Sequence, residues 1–293
     1  MEKTIKKANL AGFCYGVKRA IDLTTNIKKE NPDMNVFIFG ELIHNNQVIE
    51  NLKNLGIKVI YDIDEITQPD NSICVIRTHG ATPQDIRKIE AKGCKILDAT
   101  CVDVKKVQEK AKSLIDEGYK LIIIGKNNHP EVIAIKAHAE ENSDQTAIVI
   151  ASVDDINEHI EEIKLAKKIG IVIQTTQKTE NLQNILAVVS QYAKELKVYN
   201  TICKTTSNRQ KEAKALAKEV DLMIVVGSKT SANTSHLAEI LSEITSTIHI
   251  ETEQEIVKHK ELIEKAQNIG ITAGASTPEY IINNVIEKLK GEI

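Results

Sequence analysis

The sequence predicts an α/β protein made of three similar small units, each built on a parallel sheet. Two observations carry this. A cysteine followed by a helix-period pattern and then a short apolar strand ending in glycine occurs three times. Further along each unit, a second β-rich run enters a turn of small residues. Strands that alternate with helical patterns argue for parallel sheets, whose ligand sites lie outside the carboxyl ends of the strands.

In the first unit, Cys14 lies in Ala11-Gly12-Phe13-Cys14-Tyr15-Gly16-Val17, and Val17, Ala20, Ile21, Thr24 and Ile27 recur at helical spacing. The strand Val36-Phe37-Ile38-Phe39 then ends at Gly40, and Cys74-Val75-Ile76 later enters the turn Arg77-Thr78-His79-Gly80. In the second unit, Cys101 precedes the pattern Val104, Val107, Ala111, Leu114 and Ile115. The strand Leu121-Ile122-Ile123-Ile124 ends at Gly125, and Ile171-Val172-Ile173 enters Gln174-Thr175-Thr176. In the third, Cys203 precedes Ala213, Leu216, Ala217 and Val220. Met223-Ile224-Val225-Val226 ends at Gly227, and Ile271-Thr272-Ala273 enters Gly274-Ala275-Ser276. The steps from cysteine to strand-ending glycine are 26, 24 and 24 residues, and those from cysteine to Thr82, Thr179 and Thr277, which close the later turns, are 68, 78 and 74. Such agreement places unit boundaries near 1–98, 99–199 and 200–293, each within the usual size of a small domain.

Composition narrows the function. With 38 basic and 41 acidic side chains in 293 residues the net charge is −3, so the basic footprint of a nucleic-acid binder is missing. Three phenylalanines, six tyrosines and no tryptophan leave no base-stacking platform. The longest apolar runs fall far short of the roughly 18 residues of a membrane span. The N-terminal stretch carries lysines but no apolar segment behind them, so it does not read as a secretory signal and a cytoplasmic location is expected. Five scattered cysteines form neither a disulfide framework nor a compact CxxC pattern.

Taken singly, a cysteine is most often an inert core residue. Cys74, inside a strand, and Cys94 fit that reading. The repeated trio differs, because a thiol at a helix N-terminus feels the positive end of the dipole and gives up its proton more readily. Three soft sulfur ligands select zinc or an iron–sulfur cluster over magnesium or calcium. Three cysteines on a 4Fe-4S cluster leave one iron open, whereas structural zinc asks for a fourth ligand. The residues alone weigh cluster and zinc equally, with buried cysteines close behind.

The turns add polar chemistry. His129 and Glu131 sit beyond a strand in Gly125-Lys126-Asn127-Asn128-His129-Pro130-Glu131. Pro at the first helical position and an acid in the first turn suit a helix N-terminus without any function, but that leaves His129 unexplained. Together the two could deliver a proton to a leaving hydroxyl. His44 and His79 occupy equivalent turns of the first unit, and Ser228, Ser231, Asn233 and Ser276 enrich those of the third. Such turns usually serve capping alone; converging on one pocket, they would hold a phosphate or diphosphate. His138, His159, His236 and His249 read as surface or capping residues. Neither a Walker A pattern nor a GxGxxG fingerprint is present, which disfavours P-loop hydrolysis and direct nicotinamide binding.

These motifs resemble the 4-hydroxy-3-methylbut-2-enyl diphosphate reductase family of the non-mevalonate isoprenoid pathway. The likeness runs from Ala11-Gly12-Phe13-Cys14-Tyr15-Gly16-Val17 through Asp98-Ala99-Thr100-Cys101, His129-Pro130-Glu131-Val132, Gln174-Thr175-Thr176, Cys203, Asn208-Arg209-Gln210 and Gly227-Ser228-Lys229 to Thr272-Ala273-Gly274-Ala275-Ser276-Thr277-Pro278. It implies a three-lobed assembly around one 4Fe-4S cluster held by Cys14, Cys101 and Cys203, with the substrate hydroxyl at the open iron. It implies that His44, His79, Ser231, Asn233 and Ser276 grip the diphosphate, with a contact at Ala232. It also implies that Thr175 and His129 orient the hydroxyl, and that Glu131 is the proton donor. The reaction so implied is reductive dehydroxylation: two electrons and two protons remove the allylic hydroxyl as water and leave isopentenyl and dimethylallyl diphosphate. An external one-electron carrier such as ferredoxin or flavodoxin is implied as partner.

The chain departs from that family in places. Ala232 stands where many members carry a second serine, leaving only a backbone N–H to donate there, and Ala134 and Ala137 replace glycines common after His-Pro-Glu-Val. Two other functions share much of the pattern. One is a hydro-lyase using an open-iron cluster purely as a Lewis acid, which would form product without a reductant. The other is a non-enzymatic metal- and phosphate-binding redox sensor, which would turn over nothing.

Overall fold

A computed structural model of the chain describes residues 3–292, leaving aside the side chains of Ala232 and Glu292. Its strands form three four-stranded sheets, all parallel. The first runs in the order β3 (Ile57–Ile60), β2 (Asn35–Phe39), β4 (Ser72–Ile76), β5 (Lys95–Asp98). The second runs β7 (Ile148–Ile150), β6 (Lys120–Ile124), β8 (Lys168–Ile173), β9 (Glu195–Tyr199). The third runs β11 (Ser246–Ile250), β10 (Leu222–Val226), β12 (Asn268–Ala273), β1 (Thr4–Lys7). The six strands expected from the apolar runs are all present, as the two inner strands of each sheet.

The cysteine helices are α1 (Tyr15–Glu30), α4 (Val102–Asp116) and α8 (Lys204–Ala217). Between the first two come α2 (Asn46–Asn54) and α3 (Pro83–Ala91). Next come α5 (Pro130–Glu140), α6 (Ile160–Leu165) and α7 (Thr179–Val189), and finally α9 (Ala232–Ser242), α10 (Lys260–Lys265) and α11 (Glu279–Glu292). None of these helices is long and apolar enough to cross a membrane.

The second sheet shows how the apolar runs become strands. Leu121, Ile123 and Val172 face one way and pack with Val107, Ala111, Leu114, Val132 and Ile135, which come from α4 and α5. Ile122, Ile124, Ile171 and Ile173 face the other way, against Ile163 of α6 and Leu182, Ile185 and Val189 of α7. A strand covered on both faces has no polar alternation to show, which is why these runs are continuously apolar. Each such isoleucine contributes about 1.5–3 kcal/mol by leaving water.

The chain forms two compact units, one of Met1–Ile21, Ile43–Leu55 and Lys204–Ile293, the other of Asp22–Leu42 and Gly56–Cys203. The second unit holds the first two sheets, and the first unit holds the third. Sheet membership thus departs from chain order: β1 lines the edge of β12, with Ile5 beside Ile269, and Cys14 follows it. Among the described residues the C-terminal segment supplies three strands of the third sheet, and β1 occupies the position that β5 and β9 hold in the other two. Segment 43–55, with His44, likewise groups with the C-terminal residues, tied by Ser276 Oγ donating to the His44 carbonyl at 3.3 Å and Asn51 Nδ2 to Tyr280 Oη at 3.1 Å. So Cys14 and His44 share a unit with Ser231 and Ser276, and His79 belongs to the other.

Candidate active site

Each candidate cysteine follows a fourth strand and opens a helix. Each is tied down by the same bond. The backbone N–H of Cys101 donates to the Thr78 carbonyl at 3.0 Å, that of Cys203 to Thr175 at 2.8 Å, and that of Cys14 to Ala275 at 3.1 Å. All three acceptors lie two residues beyond the end of an inner strand, β4, β8 and β12. The repeat read in the sequence is therefore one backbone geometry used three times. The three thiols are half-buried, whereas Cys74 and Cys94 are buried in the core under the first sheet. Burial pushes the Cys74 thiol up to about 12, and that of Cys94 upward for the same reason. Those two are unreactive packing groups.

In the unit of the first two sheets, Pro130 opens α5 and His129 caps it, its Nδ1 accepting the Glu131 N–H at 3.1 Å. A neutral imidazole that accepts at Nδ1 carries its proton on Nε2, so His129 offers a donor. Its ring meets that of His79 edge to face, with centroids 5.2 Å apart. Glu131 is 1% exposed. Its Oε1 accepts the Thr175 N–H at 2.7 Å and its Oε2 accepts the Thr175 hydroxyl at 3.0 Å. Burial raises the Glu131 carboxyl to about 7, while the two Thr175 bonds pull it part of the way back down. Such a group holds a proton near neutral pH and can release it, which is what a general acid requires.

His79 stands in the turn after β4. Its neighbour Gly80 has φ +85°, and a Cβ there would lie 2.8 Å from Gln108 Nε2, so both backbone angle and space call for glycine. Thr78, just before, donates its hydroxyl to the Leu42 carbonyl at 2.8 Å. His138, assigned above to surface or capping, is half-buried on α5 with Nε2 3.1 Å from the Ala81 carbonyl. Burial lowers its pKa, so it is a neutral strut under this turn.

In the other unit, Ser231 caps α9. Its Oγ accepts from the Thr234 N–H at 3.4 Å and the Thr234 hydroxyl at 3.0 Å. Thr234 packs against Gly274, where a Cβ would lie 2.0 Å from Thr234 Oγ1. That close approach sets the Ser231 turn beside the turn that carries Ser276. Asn233 lies half-buried in the first turn of α9, and the side chain of Ala232 lies outside the described residues. Ser276 is buried and bonded to the His44 backbone. Backbone N–H groups at a capped helix start, with the hydroxyls of the two adjoining turns beside them, suit an anion.

Two residues had no role in the sequence reading. Arg209 was quoted only as part of a motif, yet it is buried and holds three carbonyls: Gly12 at 2.8 Å, Ala273 at 3.0 Å, and Leu10. It clamps the loop before Cys14 to β12. Its spacing of four from Ala213 and eight from Ala217, which share the buried face of α8, was the available signal. Asp103 lies with Oδ2 3.2 Å from Cys203 Sγ; no sequence signal links residues a hundred positions apart.

Residues 5–290 match the family model described as LytB protein. The chain is 40% identical to 4-hydroxy-3-methylbut-2-enyl diphosphate reductase of Geobacter sulfurreducens, over 97% of this chain and 95% of that one. It is 41% identical to the reductase of that name from Clostridium tetani over 97% of its own length, but spans only 43% of that relative. A solved structure described as (E)-4-hydroxy-3-methyl-but-2-enyl diphosphate reductase, the terminal enzyme of the non-mevalonate pathway, aligns with a TM-score of 0.76 at 39% identity, covering 99% of both chains.

Proposed function

The chain belongs to the LytB family of 4-hydroxy-3-methylbut-2-enyl diphosphate reductases, and from that premise we propose that it reduces the allylic diphosphate to isopentenyl and dimethylallyl diphosphate. The allylic C–O bond breaks, two electrons and two protons are taken up, and the oxygen leaves as water. The observation that carries the reading within the chain is the pairing of buried Glu131 with Thr175. A proton held on Glu131 lies within one hydrogen bond of a hydroxyl that can pass it on.

Cys14, Cys101 and Cys203 fit a 4Fe-4S cluster: they are three accessible soft ligands of matching backbone geometry, set apart from two buried cysteines. When bound, such a cluster supplies electrons one at a time together with a Lewis-acidic iron. The rest falls to side chains. Thr175 and the Nε2–H of His129 orient the substrate hydroxyl. Glu131 supplies the proton that lets it leave as water. Ser231, Asn233, Ser276, His44 and His79 bind the diphosphate, and that remote binding energy holds the reacting end in place. A one-electron carrier of the ferredoxin or flavodoxin type delivers the electrons.

An anaerobic assay of the metal-loaded protein with reduced viologen and the allylic diphosphate tests this. Both C5 diphosphates should appear with consumption of two viologen electrons per turnover. Product formed without reductant would point to a hydro-lyase, and no product at all to a binding or sensing role.

A further inference from the structure

We propose that Asp103 lowers the reduction potential of the cluster through its contact with Cys203, an inference that rests on the cysteine assignment above. Asp103 is in the first turn of α4, two residues after Cys101. An acid there would suit the helix dipole with no further role. The dipole does not account for where the carboxylate goes: Oδ2 lies 3.2 Å from Cys203 Sγ, on the other side of a hundred residues of chain. Oδ1 lies 3.6 Å from Lys106 Nζ, one turn along the same helix. The Asp103 side chain is 25% exposed and that of Lys106 69%.

While Cys203 is a thiol, its S–H donates to this carboxylate. Once the sulfur is a thiolate ligand, the contact sets two negative groups side by side, with the Lys106 ammonium as the balancing charge. A fixed anion in a partly buried site disfavours adding an electron to the group beside it, because little water intervenes to screen it. Net charge and hydrogen bonds to the sulfurs are the terms that place iron–sulfur potentials. Asp103→Asn alters both in one direction. It removes the anion, and it substitutes an amide whose N–H can donate to the sulfur.

The test is an anaerobic redox titration of the reconstituted holoprotein, followed by electron paramagnetic resonance, for the wild type, Asp103→Asn and Lys106→Gln. At a fixed potential Asp103→Asn should raise the ratio of reduced to oxidised cluster by about tenfold, equivalent to about 59 mV for a one-electron couple. Lys106→Gln should move it the opposite way by a smaller factor, since an exposed ammonium is largely screened. A purely structural role predicts no paired shift of opposite sign. If the wild type loads a cluster and Asp103→Asn leaves its potential unchanged or lower, the inference fails and the cysteine assignment stands. If Asp103→Asn does not fold, Lys106→Gln decides alone: a lowered potential supports the inference and an unchanged one overturns it. A wild type that takes up no iron and sulfide overturns both.

Discussion

Glu131 shows what a single residue's surroundings do to its chemistry. Its carboxyl titrates at about 7, against an ordinary value of 4.5, because it is buried. Between those values the folded chain keeps a proton that the unfolded chain has released, so stability declines as pH rises from about 4.5 to 7 and is level beyond. At about 1.4 kcal/mol per pKa unit the decline amounts to roughly 3 kcal/mol. Urea unfolding of Glu131→Gln across this range should lack that component while the wild type shows it; parallel profiles would mean that the group is not titrating there. Catalysis follows the same proton. Wild-type turnover should fall with a single proton step above about pH 7. Glu131→Gln should lower it by about 10²–10⁴-fold with the iron content intact, as loss of a general acid does. The pairing of His129 and Glu131 was legible in the sequence from their place after a strand. The Thr175 partnership was not, because it joins residues 44 apart.

Turns and caps are where elements become a site. Pro83 and Pro130 at the first helical positions, after Thr82 and His129, mark the starts of α3 and α5 in the sequence as clearly as in the structure. The tight join of the Ser231 and Ser276 turns is less visible, since it depends on Gly274 leaving room for Thr234. Gly274→Ala would drive its methyl into the Thr234 hydroxyl and push the start of α9 away, at an expected cost of about 1–3 kcal/mol, as overpacking does. Adding Thr234→Ala should recover part of that loss, because the contact that remains, at 3.0 Å to Cβ, is far milder. A double-mutant cycle by denaturant unfolding measures this; strictly additive losses would show that the two residues do not press on each other.

At the scale of the whole chain, the threefold repeat predicts which cysteines matter. Serine at 14, 101 or 203 should each leave the anaerobically reconstituted protein without a full complement of four irons and four sulfides per chain. Serine at 74 or 94 should leave that complement unchanged, both being core residues of the first sheet. Iron and sulfide analysis of the five variants checks it, and equal losses in all five would dissolve the distinction. The α/β class, the two inner strands of each sheet, the cysteine helices and the identity of the polar turns were all determined by sequence alone, because apolar period, proline and glycine act within a few residues of where they stand. Only the tertiary structure decided that β1 completes the third sheet, that segment 43–55 joins the C-terminal residues, and that Asp103 reaches Cys203. The exposed, lysine-rich Thr4–Lys7 carries no apolar pattern to announce a strand. Its place is set by backbone hydrogen bonds to a β12 edge 264 residues away, and such pairing leaves no local trace.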